Sequence, residues 1–102
     1  MTRRRPDDAE AWLWSQLSDL ARRLGIGITV RDLSDDDFPP RSGLCRVDDQ
    51  WRLFVHRDLP LRERNRALAA ALGRFDLEAI YVVPRLRGFI ETVLAEDRVD
   101  GP

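Results

Sequence analysis

At Gly25 the spacing of the apolar residues changes, and that change limits the folds open to this chain more than any other feature. Before it, Ala9, Leu13, Leu17, Leu20 and Leu24 recur at helical spacing, with Trp14 and Ala21 flanking the stripe and Trp12 at its edge. That is the period of a helix with one buried side. After it, Ile26, Ile28 and Val30 alternate with Gly27, Thr29 and Arg31, the period of a half-buried strand. Gly25 suits the stop between them, because a residue without a Cβ enters left-handed backbone without strain. Asp7 or Asp8 can cap the start of the helix, Glu10 lies in its acidic first turn, and Arg22 and Arg23 lie in its last. Each charge stands where it favours the helix dipole.

The stretch from Ser34 to Ser42, SDDDFPPRS, is expected to be a loop. Pro39 and Pro40 force extended backbone and forbid both helix and central strand. A hairpin is expected next, with Leu44-Cys45-Arg46-Val47 as one arm and Trp51 to His56 as the other, joined by Asp48-Asp49-Gln50. In the first arm Cys45 and Val47 share a face, and in the second Trp51, Leu53 and Val55 do; these faces are expected to point to the core. A second helix starts near Pro60, with Asp58 as its cap and Leu61, Leu68, Leu72 and Phe75 as its stripe, while Arg62, Glu63, Arg64 and Arg66 point mostly outward. Gly73 costs about 1 kcal/mol relative to Ala in such a helix, so a close neighbour is expected there. Asp76 to Pro84 is a short apolar connector. Pro84 opens a third helix with Leu86, Phe89, Ile90, Val93 and Leu94 inward.

The order α-β-β-β-α-α describes an α+β two-layer domain: a three-stranded, mainly antiparallel sheet with three helices. It is expected to span 7–97, between a disordered tail at 1–6 and a frayed end at 98–102. No internal repeat is present.

Composition removes several function classes. The net charge is −1, so no global field draws nucleic acid or an acidic membrane. Arg3-Arg4-Arg5 is too short a basic run to make a binding surface on its own. No run approaches the roughly 18 apolar residues of a membrane span. Cys45 is the only cysteine, which forbids an intrachain disulfide and a CxxC metal knuckle and fits a reducing cytoplasm. The acids of Asp35-Asp36-Asp37 are not spaced to converge on Ca²⁺. GIG ahead of a strand is the wrong context for a phosphate-binding glycine loop. No cofactor is expected.

The alanine-rich stretch Ala67 to Phe75, ALAAALGRF, carries a resemblance. A glycine-led strand, a second strand ending in Leu-Pro, and a helix with an A…LG frame resemble the ImmA/IrrE-type minimal zincin metallopeptidases over about Gly25 to Phe89. In that family the helix reads much like A-H-E-L-G-H. The resemblance puts Ala70 where the first zinc-binding His would be, Ala71 at the general-base Glu and Arg74 at the second His. Two His four residues apart can hold one Zn²⁺ from one helix face while the Glu activates bound water. Ala has no donor atom, Arg stays protonated, and His56 is the only His in the chain. What the resemblance implies is therefore a zincin-like scaffold without its catalytic metal site, and metallopeptidase activity is excluded. Alanine also serves helices simply by propensity and close approach. Ala67, Ala70 and Arg74 lie roughly opposite the leucine stripe, so a second contact is expected from the first helix, the third helix or a partner chain.

Trp12 and Trp14 cannot both be central to one helix face, so at least one is expected to be partly exposed, and Trp is enriched in binding hot spots. Cys45 and His56, on opposite hairpin arms, are the one pair with nucleophile and base chemistry; a lone strand Cys is more often a small buried hydrophobe. The expected function is that of a non-catalytic bacterial cytoplasmic protein acting by protein–protein contact, with another protein or as a homodimer. Its contact residues would be Trp12 and Trp14, then Ala70 and Arg74. The alternatives are a metal-independent enzyme on Cys45 and His56, and a peptide- or anion-binding pocket with Arg74.

Overall fold

Three alternating segments and three apolar stripes become three strands and three helices. The computed structural model describes residues 6–31 and 42–100. Arg3-Arg4-Arg5, the expected acidic loop as far as Arg41, and the two last residues lie outside them, while Ser42, expected as the loop's last residue, starts a strand. Helix α1 (Pro6–Arg23) buries Leu17, Leu20 and Ala21. It ends as its glycine requires: Gly25 has φ of 79°, and the Leu24 and Gly25 N–H groups donate back to Leu20 and Arg22 oxygens, each at 3.0 Å. Strand β1 (Ile26–Arg31) follows directly, then β2 (Ser42–Val47), β3 (Gln50–His56) and α2 (Leu61–Leu72). A one-turn 3₁₀ segment, Leu77–Ala79, stands in the apolar connector, so the chain order carries one more element than α-β-β-β-α-α. Its N–H at Glu78 is capped by Asp76 Oδ1 at 3.0 Å. Helix α3 (Pro84–Asp100) closes the described chain.

The sheet is mixed rather than mainly antiparallel. Its order is β1-β3-β2, with β1 parallel to β3 and β2 antiparallel to β3. The physical reason is that the hairpin's second arm, not its first, takes the place beside β1. Ile26 and Ile28 then register with Trp51 and Leu53 on the inner face. Helix α1 packs on β1 and α2 on β3, while α3 packs against α2 and α1. The core sits between, with Leu53, Val55, Leu68, Leu72, Leu86 and Ile90 nearly inaccessible.

The hairpin corrects one expectation about faces. Its turn is Asp48-Asp49 alone, both at positive φ (51° and 68°), and Val47 pairs with Gln50. Two left-handed residues are what a twisted two-residue hairpin turn demands, and Asp tolerates that region better than most. The register therefore sets Leu44 opposite Leu53 and Cys45 opposite Arg52. Leu44 packs on the core, while Cys45 and Val47 belong to the outer face, with Val47 exposed. The start of α2 differs too. Pro60 is the N-cap without a side-chain hydrogen bond, and the Asp58 N–H donates instead to His56 Nδ1 at 3.0 Å.

The alanines of α2 are a packing device. The helix is covered by α1, α3 and β3, and Ala69 and Ala71 belong to the buried core. Gly73 lets α3 approach: a Cβ there would lie 2.6 Å from Leu94 Cδ1 and 2.9 Å from its Cγ. Its φ of −66° is ordinary helix, so Gly73→Ala would gain about 1 kcal/mol by propensity if the space were free. Overpacking of this kind costs about 1–3 kcal/mol, and a net loss near 1 kcal/mol is expected. In a Leu94→Ala background the same change should be neutral or stabilising, because the clash is gone. Urea midpoints of the four chains check this; an equal loss in both backgrounds would show that Leu94 is not the obstacle.

Candidate functional site

The tryptophans of α1 leave the helix on its two flanks, and each meets an arginine from a different helix. Arg85 of α3 lies over the Trp12 ring, 4.7 Å from its centroid, and Arg64 of α2 lies over Trp14 at 5.9 Å. Both indoles are half-buried against the core. A guanidinium over an indole face is attracted by the ring quadrupole and holds the ring in place. Arg64 is itself anchored: its Nε donates to Leu59 O at 2.9 Å and its Nη2 to Arg57 O at 2.7 Å, which closes the β3–α2 turn. Asp8, Ala9, Trp12 and Arg85 line a cleft of about 240 Å³. That is below the roughly 300 Å³ at which small-molecule pockets begin. A wider, open groove of about 570 Å³ follows Trp14, Ser15, Ser18, Asp19 and Arg22. Asp19 and Arg22 are ion-paired across one turn.

The apolar pattern passes over one residue that ties α2 to α1. Asn65 of α2 is fully buried. Its Nδ2 donates to Glu10 O at 2.9 Å and Glu10 Oε1 at 2.8 Å, while its Oδ1 is buried with no hydrogen-bond partner among the described residues. Asn65 stands four residues after Leu61 and three before Leu68, on the core stripe itself. A polar residue in an apolar seam was the sequence signal for it.

The face of α2 that carries Ala70 belongs to the α2–α3 contact. Ala70 is four residues from Arg66 and three from Gly73, so the three share a face. Arg66 Nη2 donates to Glu96 Oε2 of α3 at 2.6 Å, and Gly73 receives Leu94. Ala70 is accordingly half-buried and packed on the core, and α3 supplies the second contact expected for this face. Arg74 is exposed, one turn on. Glu96 is held below its ordinary carboxylate pKa, most of all by the Arg66 hydrogen bond; desolvation opposes this, and the charges of Arg66 and then Arg62 lower it further. Its folded pKa is depressed, so this link contributes fully above the unfolded value and is lost as pH falls through the folded one.

Cys45 and His56 share the outer face of the sheet, away from the helices, but the structure does not bring them together. Cys45 stands opposite Arg52, and His56 lies four residues further along β3, about 13 Å at 3.3 Å per residue. The His56 ring accepts from the Asp58 N–H. Arg52, beside Cys45, is turned the other way, donating to Thr29 Oγ1 at 3.0 Å over the bare backbone of Gly27. Among the described residues no group of three or more His, Cys, Asp or Glu could hold a metal ion, and no helix is long and apolar enough to cross a membrane. Compared with known protein families, curated proteins and solved structures, the chain matches none.

Proposed function

We propose that this chain is a non-catalytic cytoplasmic domain that acts through protein–protein contact, on a scaffold resembling a minimal zincin without its metal ligands. The contact surface is the flank of α1 around Trp12 and Trp14. The observation that carries this reading is the pair of arginine-stacked indoles at the rims of the cleft and the open groove. Aromatic rings already held in place lose little freedom on binding, which is what makes them effective anchors. Lack of a ligand set at Ala70, Ala71 and Arg74, with His56 the sole histidine, supports the non-catalytic half of the reading. The separation of Cys45 from His56 gives the thiol no base, and the enzyme alternative has no support from geometry. Arg74 is exposed, but neither the cleft nor the groove on α1 includes it.

The test is site-directed photo-cross-linking in the cells that make the protein. A photoreactive residue at Ser15, exposed on the groove, is expected to give one discrete adduct, with a second copy or with a single other protein. The same residue at Glu63, exposed on α2, should give none. Equal labelling at both positions, or none at either, would remove the α1 surface. Stoichiometric zinc in the purified chain would remove the metal-free reading.

A further inference from the structure

We infer that the first half of α1, up to Gln16, is a strap that undocks from α2 and α3 as a unit while the second half of the helix stays packed. The fully buried residues of α1 are Leu17, Leu20 and Ala21, all in the second half. The described residues from Asp8 to Gln16 are half-buried or exposed. Trp12, Leu13 and Trp14 pack on the core, but each stays only half-buried, and polar and cationic contacts add to them: Glu10 to Asn65, Trp12 to Arg85 and Trp14 to Arg64. The polar groups find water when they separate, and the half-exposed rings have less surface to lose from burial, so parting this seam costs less than parting the fully buried one at Leu17, Leu20 and Ala21.

Asn65 adds a bias toward opening. Its Oδ1 is buried without a donor among the described residues, and an orphaned buried acceptor raises the free energy of the closed state. Lifting the strap lets water reach that oxygen. The Trp12 cleft has walls from both α1 and α3, so it exists only while the strap is docked. Opening therefore takes apart part of the proposed contact surface, and the docked fraction sets how much of that surface is on offer. The strap itself does not depend on any partner.

Hydrogen exchange of the full chain, read by mass spectrometry, tests this without a partner. Amides of residues 10–16, past the first helical turn, are expected to exchange at least about tenfold faster than those of 17–23 after correction for intrinsic rates. Arg85→Ala removes the clasp on Trp12 at an exposed position, and should speed 10–16 several-fold while leaving 17–23 unchanged. Glu10→Ala removes the carboxylate part of the Glu10–Asn65 link, and should likewise speed 10–16 several-fold relative to any change in 17–23. Simple fraying of a helix end would give rates that fall steadily from residue 10 to residue 16 rather than one shared rate. Both halves exchanging together, a steady gradient across 10–16, Arg85→Ala moving both halves equally, or Glu10→Ala leaving 10–16 unmoved would each overturn the inference.

Discussion

Asn65→Asp is expected to cost about 3 kcal/mol or more of stability at neutral pH, from a change of one amide to one carboxylate. Asn65 is fully buried and gives two hydrogen bonds, both to oxygens of Glu10. Asp at that position has no donor to give when ionised. Its charge would face a backbone carbonyl and a second carboxylate, buried and unpaired. A domain of this size has only about 5–15 kcal/mol in total. Burial and the charge of Glu10 would both push the introduced carboxyl's pKa up. The sign follows: a raised folded pKa means the loss is small below the unfolded value of about 3.9 and grows as pH rises above it. Urea midpoints at pH 7 and pH 4, each against the unsubstituted chain at the same pH, check both parts. A loss under about 1 kcal/mol at pH 7 would mean that the Glu10–Asn65 joint is not closed in solution.

The same residue shows what the sequence hides. The α2 stripe reads correctly from Leu68 and Leu72, yet Asn65 lies on it and drops out, because an apolar pattern has no place for a buried amide. Its partner, a backbone oxygen of α1, is 55 positions away, and nothing local points to it. The tryptophans are a similar case. Their spacing shows that they leave α1 on different flanks, but the arginines that stack on them belong to α2 and α3. Gly25 and Gly73 were legible for the opposite reason. A helix stop and a close approach are demands on one residue, and that residue's own chemistry answers them.

The sheet divides along the same line. Trp51, Leu53 and Val55 alternate strongly enough to name their face. Leu44-Cys45-Arg46-Val47 offers two readings, and only the length of the turn chooses between them. Without a glycine the turn reads as three residues. It is two, and a shift of one residue sends every side chain of β2 to the other face. The parallel pairing of β1 with β3 has no local signal, since consecutive strands pair antiparallel through a short turn far more readily.

Ala71→Glu is expected to lose about 3 kcal/mol or more at pH 7, which bears directly on why α2 carries alanines. By the resemblance to the minimal zincins, this is the position of the general base. Here Ala71 is 6% exposed and belongs to the buried core, so a carboxylate there would be desolvated among apolar side chains. Its pKa would rise and its penalty would grow with pH above about 4.3, the value of an unperturbed Glu. Ala70→His, at a half-buried position against α3, is expected to cost about 1–3 kcal/mol through overpacking. Arg74→His, on an exposed residue, should stay within about 0.5 kcal/mol. The three therefore form a ladder set by burial rather than by metal chemistry. Unfolding of each single variant, with and without zinc, reads it. The ladder in that order, unmoved by zinc, fits a helix whose alanines serve packing. A tolerated Ala71→Glu would instead mean that open space lies against α2 at this position, and the cleft reading with Arg74 would then take precedence over the α1 surface.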